Sequence, residues 1–148
     1  MNRSEQLLQL VGGDIELDCA DYTGLQRLMQ ALYEQLLVRN SAQIESLNQQ
    51  ITVLVEFIRT RAERRRKIIT AFGLLPTAPG VMEKLLAHSP LPNRTTYLNC
   101  WNDLEKLVQQ TKSLNERNGK LLAMHNDILN QIIGNAQSSP VYSARYYW

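Results

Sequence analysis

Apolar residues recur at three- and four-residue intervals along most of this chain, and that spacing predicts helices. Leu25, Leu28, Met29, Leu32, Leu36 and Leu37 form one stripe. It predicts a first helix over 21–39, with Asp21 or Thr23 as its N-cap. Ile44, Leu47, Ile51, Leu54, Ile58, Ile68 and Phe72 form a second stripe. It predicts a helix over 41–72 that starts after an Asn40-Ser41 cap and closes at Gly73. The same spacing lays Arg61 and Arg65 on this seam, so the stripe is apolar at both ends and charged in the middle. A third helix is predicted over 95–134. Leu107, Leu114, Leu121 and Ile128 recur there every seven residues, and Leu104, Val108, Leu122, Leu129, Ile132 and Ile133 widen the stripe. A sustained seven-residue repeat favours left-handed, coiled-coil-like packing. Thr111, Asn118 and His125 occupy the intervening layer, where polar groups weaken packing but help to fix register.

The remaining segments read as weaker elements. In residues 1–20, Leu7, Leu8, Leu10 and Val11 suit a short amphipathic helix that Gly12-Gly13 would break, so a loosely docked segment is expected. Four prolines, Pro76, Pro79, Pro90 and Pro92, mark 73–93 as a connector and not a core element. Val81–Leu86 is expected to make one or two helical turns inside it. Residues 135–148 read as a flexible C-terminal tail carrying Tyr142, Tyr146, Tyr147 and Trp148. The expected fold is all-α: an elongated antiparallel helical bundle, coiled-coil-like, with three main helices, a Pro-rich connector and that tail, forming one domain over 1–148.

Composition narrows the function classes. A net charge of +2 is too small to imply a polyanion partner by itself. Cys19 and Cys100 lie far apart and lack metal-ligand spacing, so reduced thiols are expected. No apolar run approaches the ~18 residues a membrane span needs, and the first residues are too polar and acidic for a signal peptide. A cytoplasmic protein without stable membrane insertion is expected. His88 and His125 are isolated, and no metal, P-loop or nucleophile motif is present. No enzyme, catalytic residue, metal or cofactor is expected. The run Arg59 to Lys67 holds six cationic residues against one acid. It reads as a solvated helical face, as a nucleic-acid or phospholipid contact, or as the partner of an acidic segment.

One stretch resists a reading from helix propensity alone. Leu114-Asn115-Glu116-Arg117-Asn118-Gly119-Lys120-Leu121-Leu122 puts two Asn and a Gly inside the third helix, where Gly costs about 1 kcal/mol relative to Ala. The pattern L-N-x-x-N-G-x-L-L, late in a small helical chain, resembles the FlgN-type flagellar export chaperones. So do the Leu28-Met29…Leu36-Leu37 run with its Arg39-Asn40 break, Arg65 with Ile68-Ile69 and Gly73-Leu74, and the tail segment Pro140-Val141-Tyr142-Ser143-Ala144. The resemblance implies a cytoplasmic chaperone of the flagellar type III export system. Its clients would be hook-associated (hook-filament junction) proteins of the FlgK and FlgL type, bound by their terminal helices and delivered to the export gate. The client surface would lie on the second half of the third helix, at Asn118, Leu122, Ile128, Leu129, Ile132 and Ile133. Tyr142 would dock at the gate. No nucleic acid would be bound, and the chain would be a monomer or a weak homodimer. Two rival readings remain open: a coiled-coil adaptor that self-associates through the third helix, and a small helical nucleic-acid-binding protein using Arg59 to Lys67.

Overall fold

The computed structural model describes residues 2–133, the side chain of Ile133 excepted. Within them lie four helices and no strand: α1 (Arg3–Val38), α2 (Ser41–Ala71), α3 (Val81–Leu86) and α4 (Leu91–Ile133). The all-α bundle expected from the stripes is present, with two differences of content.

The first difference is at the N-terminus. Residues 3–20 are not a loose segment; they are the first half of α1, which runs unbroken through Gly12-Gly13. Asn2 caps it, its Oδ1 accepting from the Glu5 N–H at 2.8 Å. Leu8, Val11 and Ile15, spaced three and four apart, are at most 2% exposed. Their burial outweighs the helix penalty of two glycines. Gly12 has a further reason to be there. A Cβ at that position would lie 2.2 Å from Cε1 of Tyr97, so the missing side chain is the seat of the Tyr97 ring. Asp21 and Thr23 therefore sit inside α1 and do not cap it.

The second difference is the connector. Val81, Met82, Leu85 and Leu86 are all buried and belong to one apolar cluster with Leu8, Val11, Ile15, Ile68, Ile69 and Leu104. α3 is thus a core element and a fourth helix. The prolines flank it: Pro76 and Pro79 precede it, and Pro92 lies in the first turn of α4, where the missing N–H is an orphan donor anyway. α4 accordingly begins at Leu91 and not at Thr95.

Both ends of α2 are shaped by left-handed residues. Arg39 has φ 56°; its N–H bonds to Leu36 O and that of Asn40 to Gln35 O, which is the Schellman closure of α1. Asn40 then turns its Oδ1 toward the Gln43 N–H at 3.3 Å and caps α2. At the far end Gly73 has φ 75°, and the bonds Gly73 N–H to Thr70 O and Leu74 N–H to Ile69 O repeat the motif.

The contacts group the chain into two compact units: residues 2–22 with 56–108, and 23–55 with 109–133. The first holds the apolar cluster, beside which lies a charged layer. Arg64 grips Asp14 with two bonds of 2.8 and 2.6 Å. Arg61 reaches Asp18 at 3.0 Å and Asp21 at 2.7 Å, and Arg65 reaches the other Asp18 oxygen at 3.0 Å while lying over the Trp101 ring. Burial pushes the Asp18 carboxyl above its ordinary range, against the pull of the Arg61 and Arg65 guanidinium groups. In the second unit the cores of α1 and α2 meet through Leu25, Met29, Leu32, Leu36, Ile44, Leu47, Ile51 and Val55, all buried.

Candidate functional site

The expected site lies in the second unit, on α4 from Gln109 onward. Its buried line there is not the leucine heptad. Thr111, Asn115 and Asn118 are at most 1% exposed, and Leu122 continues them at the same spacing. Leu114, Leu121 and Ile128 are half-buried on the flank.

Thr111 and Asn118 bond to α1. Gln26 donates through Nε2 to Thr111 Oγ1 at 3.3 Å and to Gln110 Oε1 at 3.1 Å. Asn118 donates through Nδ2 to the backbone oxygen of Met29 at 2.9 Å. Arg117 donates to Gln30 Oε1 at 3.2 Å and stacks 3.7 Å from the Tyr33 ring centroid. A helix carbonyl already accepts one bond from its own helix and keeps a second lone pair; Asn118 uses that one on Met29.

The partners rise together in number, from Gln26 with Thr111 to Met29 with Asn118 and Gln30 with Arg117. α4 therefore runs in the same direction as α1 in this unit, while α2 returns between them in sequence. The register extends to the end of α1. His125 is held below its ordinary value first by burial and then by the nearby charge of Arg39, the residue that closes α1. Beyond His125 the helix has no α1 beside it. Eight residues, 126–133, continue past that end, about 12 Å at 1.5 Å per residue.

Apolar side chains collect on this overhang and just before it. Ile132 is 74% exposed, Met124 52% and Leu129 39%. At the end of α1, Leu37 and Val38 are exposed as well. Helical spacing sets Met124, Ile128 and Ile132 along one side of α4. The patch is an apolar strip with two charged neighbours on its own helix, Lys120 and Asp127, both exposed. It holds no nucleophile or paired carboxylate, and its chemistry is that of a docking face for an apolar segment.

The residues expected from the sequence fall into three groups. Asn118 and Leu122 are interior, so they support the face without forming it. Ile128, half-buried, and Leu129 and Ile132, exposed, lie on the overhang. The side chain of Ile133, and Tyr142, are outside the described residues. Leu37, on the apolar stripe of the first helix, is 54% exposed. The basic run also resolves. Arg61, Arg64 and Arg65 are taken up by Asp14, Asp18 and Asp21, and Arg59 pairs with Glu56. The acidic partner is this chain's own α1, which leaves Arg66 and Lys67 as the exposed cations beyond those pairs and removes the continuous basic stripe that a nucleic-acid contact needs. Among the described residues, no group of His, Cys, Asp and Glu is arranged to hold a metal, and no helix is long and apolar enough to cross a membrane.

Comparison with known proteins adds one result. Residues 4–146 match the family model described as FlgN protein. No curated protein and no solved structure matches the chain. The family is one of chaperones for flagellum assembly, which agrees with a helical bundle that bears a bare apolar face. With a match that covers nearly the whole chain, this protein belongs to the FlgN family.

Proposed function

We propose that this flagellar export chaperone acts in the cytoplasm and receives the terminal helices of hook-associated proteins, of the FlgK and FlgL type, on the overhanging end of α4. It would shield those helices from premature assembly and hand them to the export gate. The observation that carries the reading is the apolar strip at and beyond the end of α1, made of exposed Met124, Leu129 and Ile132 with half-buried Ile128. A client helix laid against it covers side chains worth about 1.5–3 kcal/mol each when wholly buried, less the cost of ordering the client. Leu37 and Val38 are further exposed apolar residues in the last turn of α1. Asn118 and Leu122 serve from beneath, by fixing where the overhang begins. Tyr142 is assigned to gate docking on the resemblance of its tail segment.

The test is calorimetry with C-terminal segments of hook-associated proteins. Leu129→Asp combined with Ile132→Asp places two charges in the strip while leaving the buried seam intact. Binding should weaken at least tenfold, about 1.4 kcal/mol, with helical circular dichroism and melting temperature unchanged. Unaltered affinity in a folded double variant would remove the strip from the mechanism. For the gate, Tyr142→Ala should lower client export with client affinity unchanged.

A further inference from the structure

Cys19 and Cys100 are 81 positions apart in sequence, yet they meet in the unit formed by 2–22 and 56–108. The Sγ of Cys19, on α1, lies 3.5 Å from the backbone oxygen of Cys100, on α4. The two helices are closely set here. Gly12, two turns before Cys19, and Tyr97, one turn before Cys100, interlock so tightly that a Cβ on residue 12 would overlap the tyrosine ring. A carbonyl oxygen sits about 2.4 Å from its own Cα by standard backbone dimensions. The Cys19 sulfur is therefore within about 6 Å of the Cys100 Cα, and rotation of both side chains must close the remaining gap to a disulfide, whose Cα atoms stand about 4.4–6.8 Å apart. Burial pushes the Cys19 thiol up to about 11 and raises Cys100 as well. The charges of neighbouring carboxylates, Glu16 and Asp103 among them, also disfavour both thiolates.

We propose that Cys19 and Cys100 form a redox clasp, in which a disulfide-class oxidant such as glutathione disulfide joins them and ties α1 to α4. Cys100, the less deeply set of the pair, reacts first. It loses its proton and its sulfur attacks the oxidant, displacing one glutathione thiolate that takes the proton up. Cys19 then loses its proton and attacks the Cys100 sulfur of the mixed disulfide, releasing the second glutathione. The chain gives up two protons and two electrons, and the oxidant leaves as two thiols. Both thiols sit well above neutral, so little thiolate is present and the clasp closes slowly, under sustained oxidation. Once closed, it spans a loop long enough to restrict the unfolded chain strongly.

The experiment incubates the full chain, folded, with glutathione disulfide at neutral pH. The expected product is a monomer lighter by about 2 Da with no titratable thiol, and with a melting temperature higher by about 5 °C or more that reductant reverses. The Cys19→Ser variant should stop at a stable glutathione adduct on Cys100. A wild-type chain that stops at that same adduct, that crosslinks only between molecules, or that keeps both thiols while folded would overturn the clasp.

Discussion

The two adjacent glycines of α1 should answer the same substitution with opposite signs. Gly→Ala inside a helix gains about 1 kcal/mol from propensity when nothing else changes. At Gly13 nothing lies within 4 Å of the new Cβ, so Gly13→Ala should stabilise by roughly that amount. At Gly12 the new Cβ would stand 2.2, 2.3 and 2.6 Å from three atoms of the Tyr97 ring. A planar ring has no flexible end to bend away, so Tyr97 must leave its seat. Tyr97 packs against the apolar cluster and is half-buried. Exposing ~100 Å2 of its ring costs about 2.5 kcal/mol at 25 cal/mol per Å2. Set against the propensity gain of about 1 kcal/mol, Gly12→Ala should destabilise by about 1.5 kcal/mol. Urea denaturation followed by far-ultraviolet circular dichroism measures both variants on one scale, and they should differ by about 2.5 kcal/mol. In a Tyr97→Leu background the Gly12 penalty should largely vanish, which a double-mutant cycle reads directly. If Gly12→Ala is as stable as Gly13→Ala, the seat assigned to Tyr97 is wrong.

Asn118→Asp replaces the Nδ2 donor with an anionic oxygen facing the Met29 carbonyl in a site that is 0% exposed. It should cost about 3 kcal/mol or more, whereas Asn118→Ala should cost about 1–2 kcal/mol; chemical denaturation that ranks the two the other way would refute the bond. Arg39→Gly relieves a left-handed φ of 56° in a residue with a side chain and should stabilise by about 0.5–1 kcal/mol. The same variant should raise the His125 pKa toward its ordinary value, since the charge of Arg39 is one of two causes that lower it. A depressed histidine contributes stability that is present above its unfolded pKa and lost as pH falls through the folded pKa. That acid-side loss should shrink in Arg39→Gly, and an unmoved His125 resonance in an NMR titration would exclude the contact.

Much of the helical architecture was legible because three- and four-residue spacing is a strong signal over long runs. What failed did so for identifiable physical reasons. Gly12-Gly13 looks like a break when propensity is weighed alone, because the ring of Tyr97 that uses Gly12 comes from 85 residues later in the sequence. Val81, Met82, Leu85 and Leu86 carry the spacing of a buried two-turn helix, but four nearby prolines argued for a connector. The flanking prolines and the buried turns are compatible, since proline forbids helix interiors and not their first turns. Asp14, Asp18 and Asp21 repeat at intervals of four and three, matching the charged middle of the second stripe at Arg61 and Arg65. Pairing those two patterns would have identified the acidic partner without coordinates. The seam of α4 was the hardest to centre. A broad stripe admits two neighbouring lines, and counting leucines selects Leu114, Leu121 and Ile128 over Thr111, Asn118 and His125. The buried line is the polar one because Asn118 finds a backbone acceptor on α1, which no residue pattern announces.

That polar line also explains how the apolar strip stays bare. A seam made only of leucines in sevens is nearly indifferent to a shift of one heptad, because each layer meets another like itself. Such a shift in this unit would carry Leu129 to the place Leu122 now occupies and draw Ile132 back alongside α1. The strip would then be covered by its own molecule. The bonds from Gln26 to Thr111 and from Asn118 to Met29 O belong to this register: the same shift puts the larger ring of His125 in the place of the Asn118 amide, Asn118 in the place of Thr111 and Leu122 in the place of Asn115. Breaking them leaves buried donors and acceptors without partners, at about 1–3 kcal/mol each. A few polar residues that weaken the packing therefore hold one register, and the register decides which apolar residues of α4 extend past the end of α1. On this account the Asn-Asn-Gly interruption of the helix and the exposed end are one device: the first sets the position from which the second protrudes.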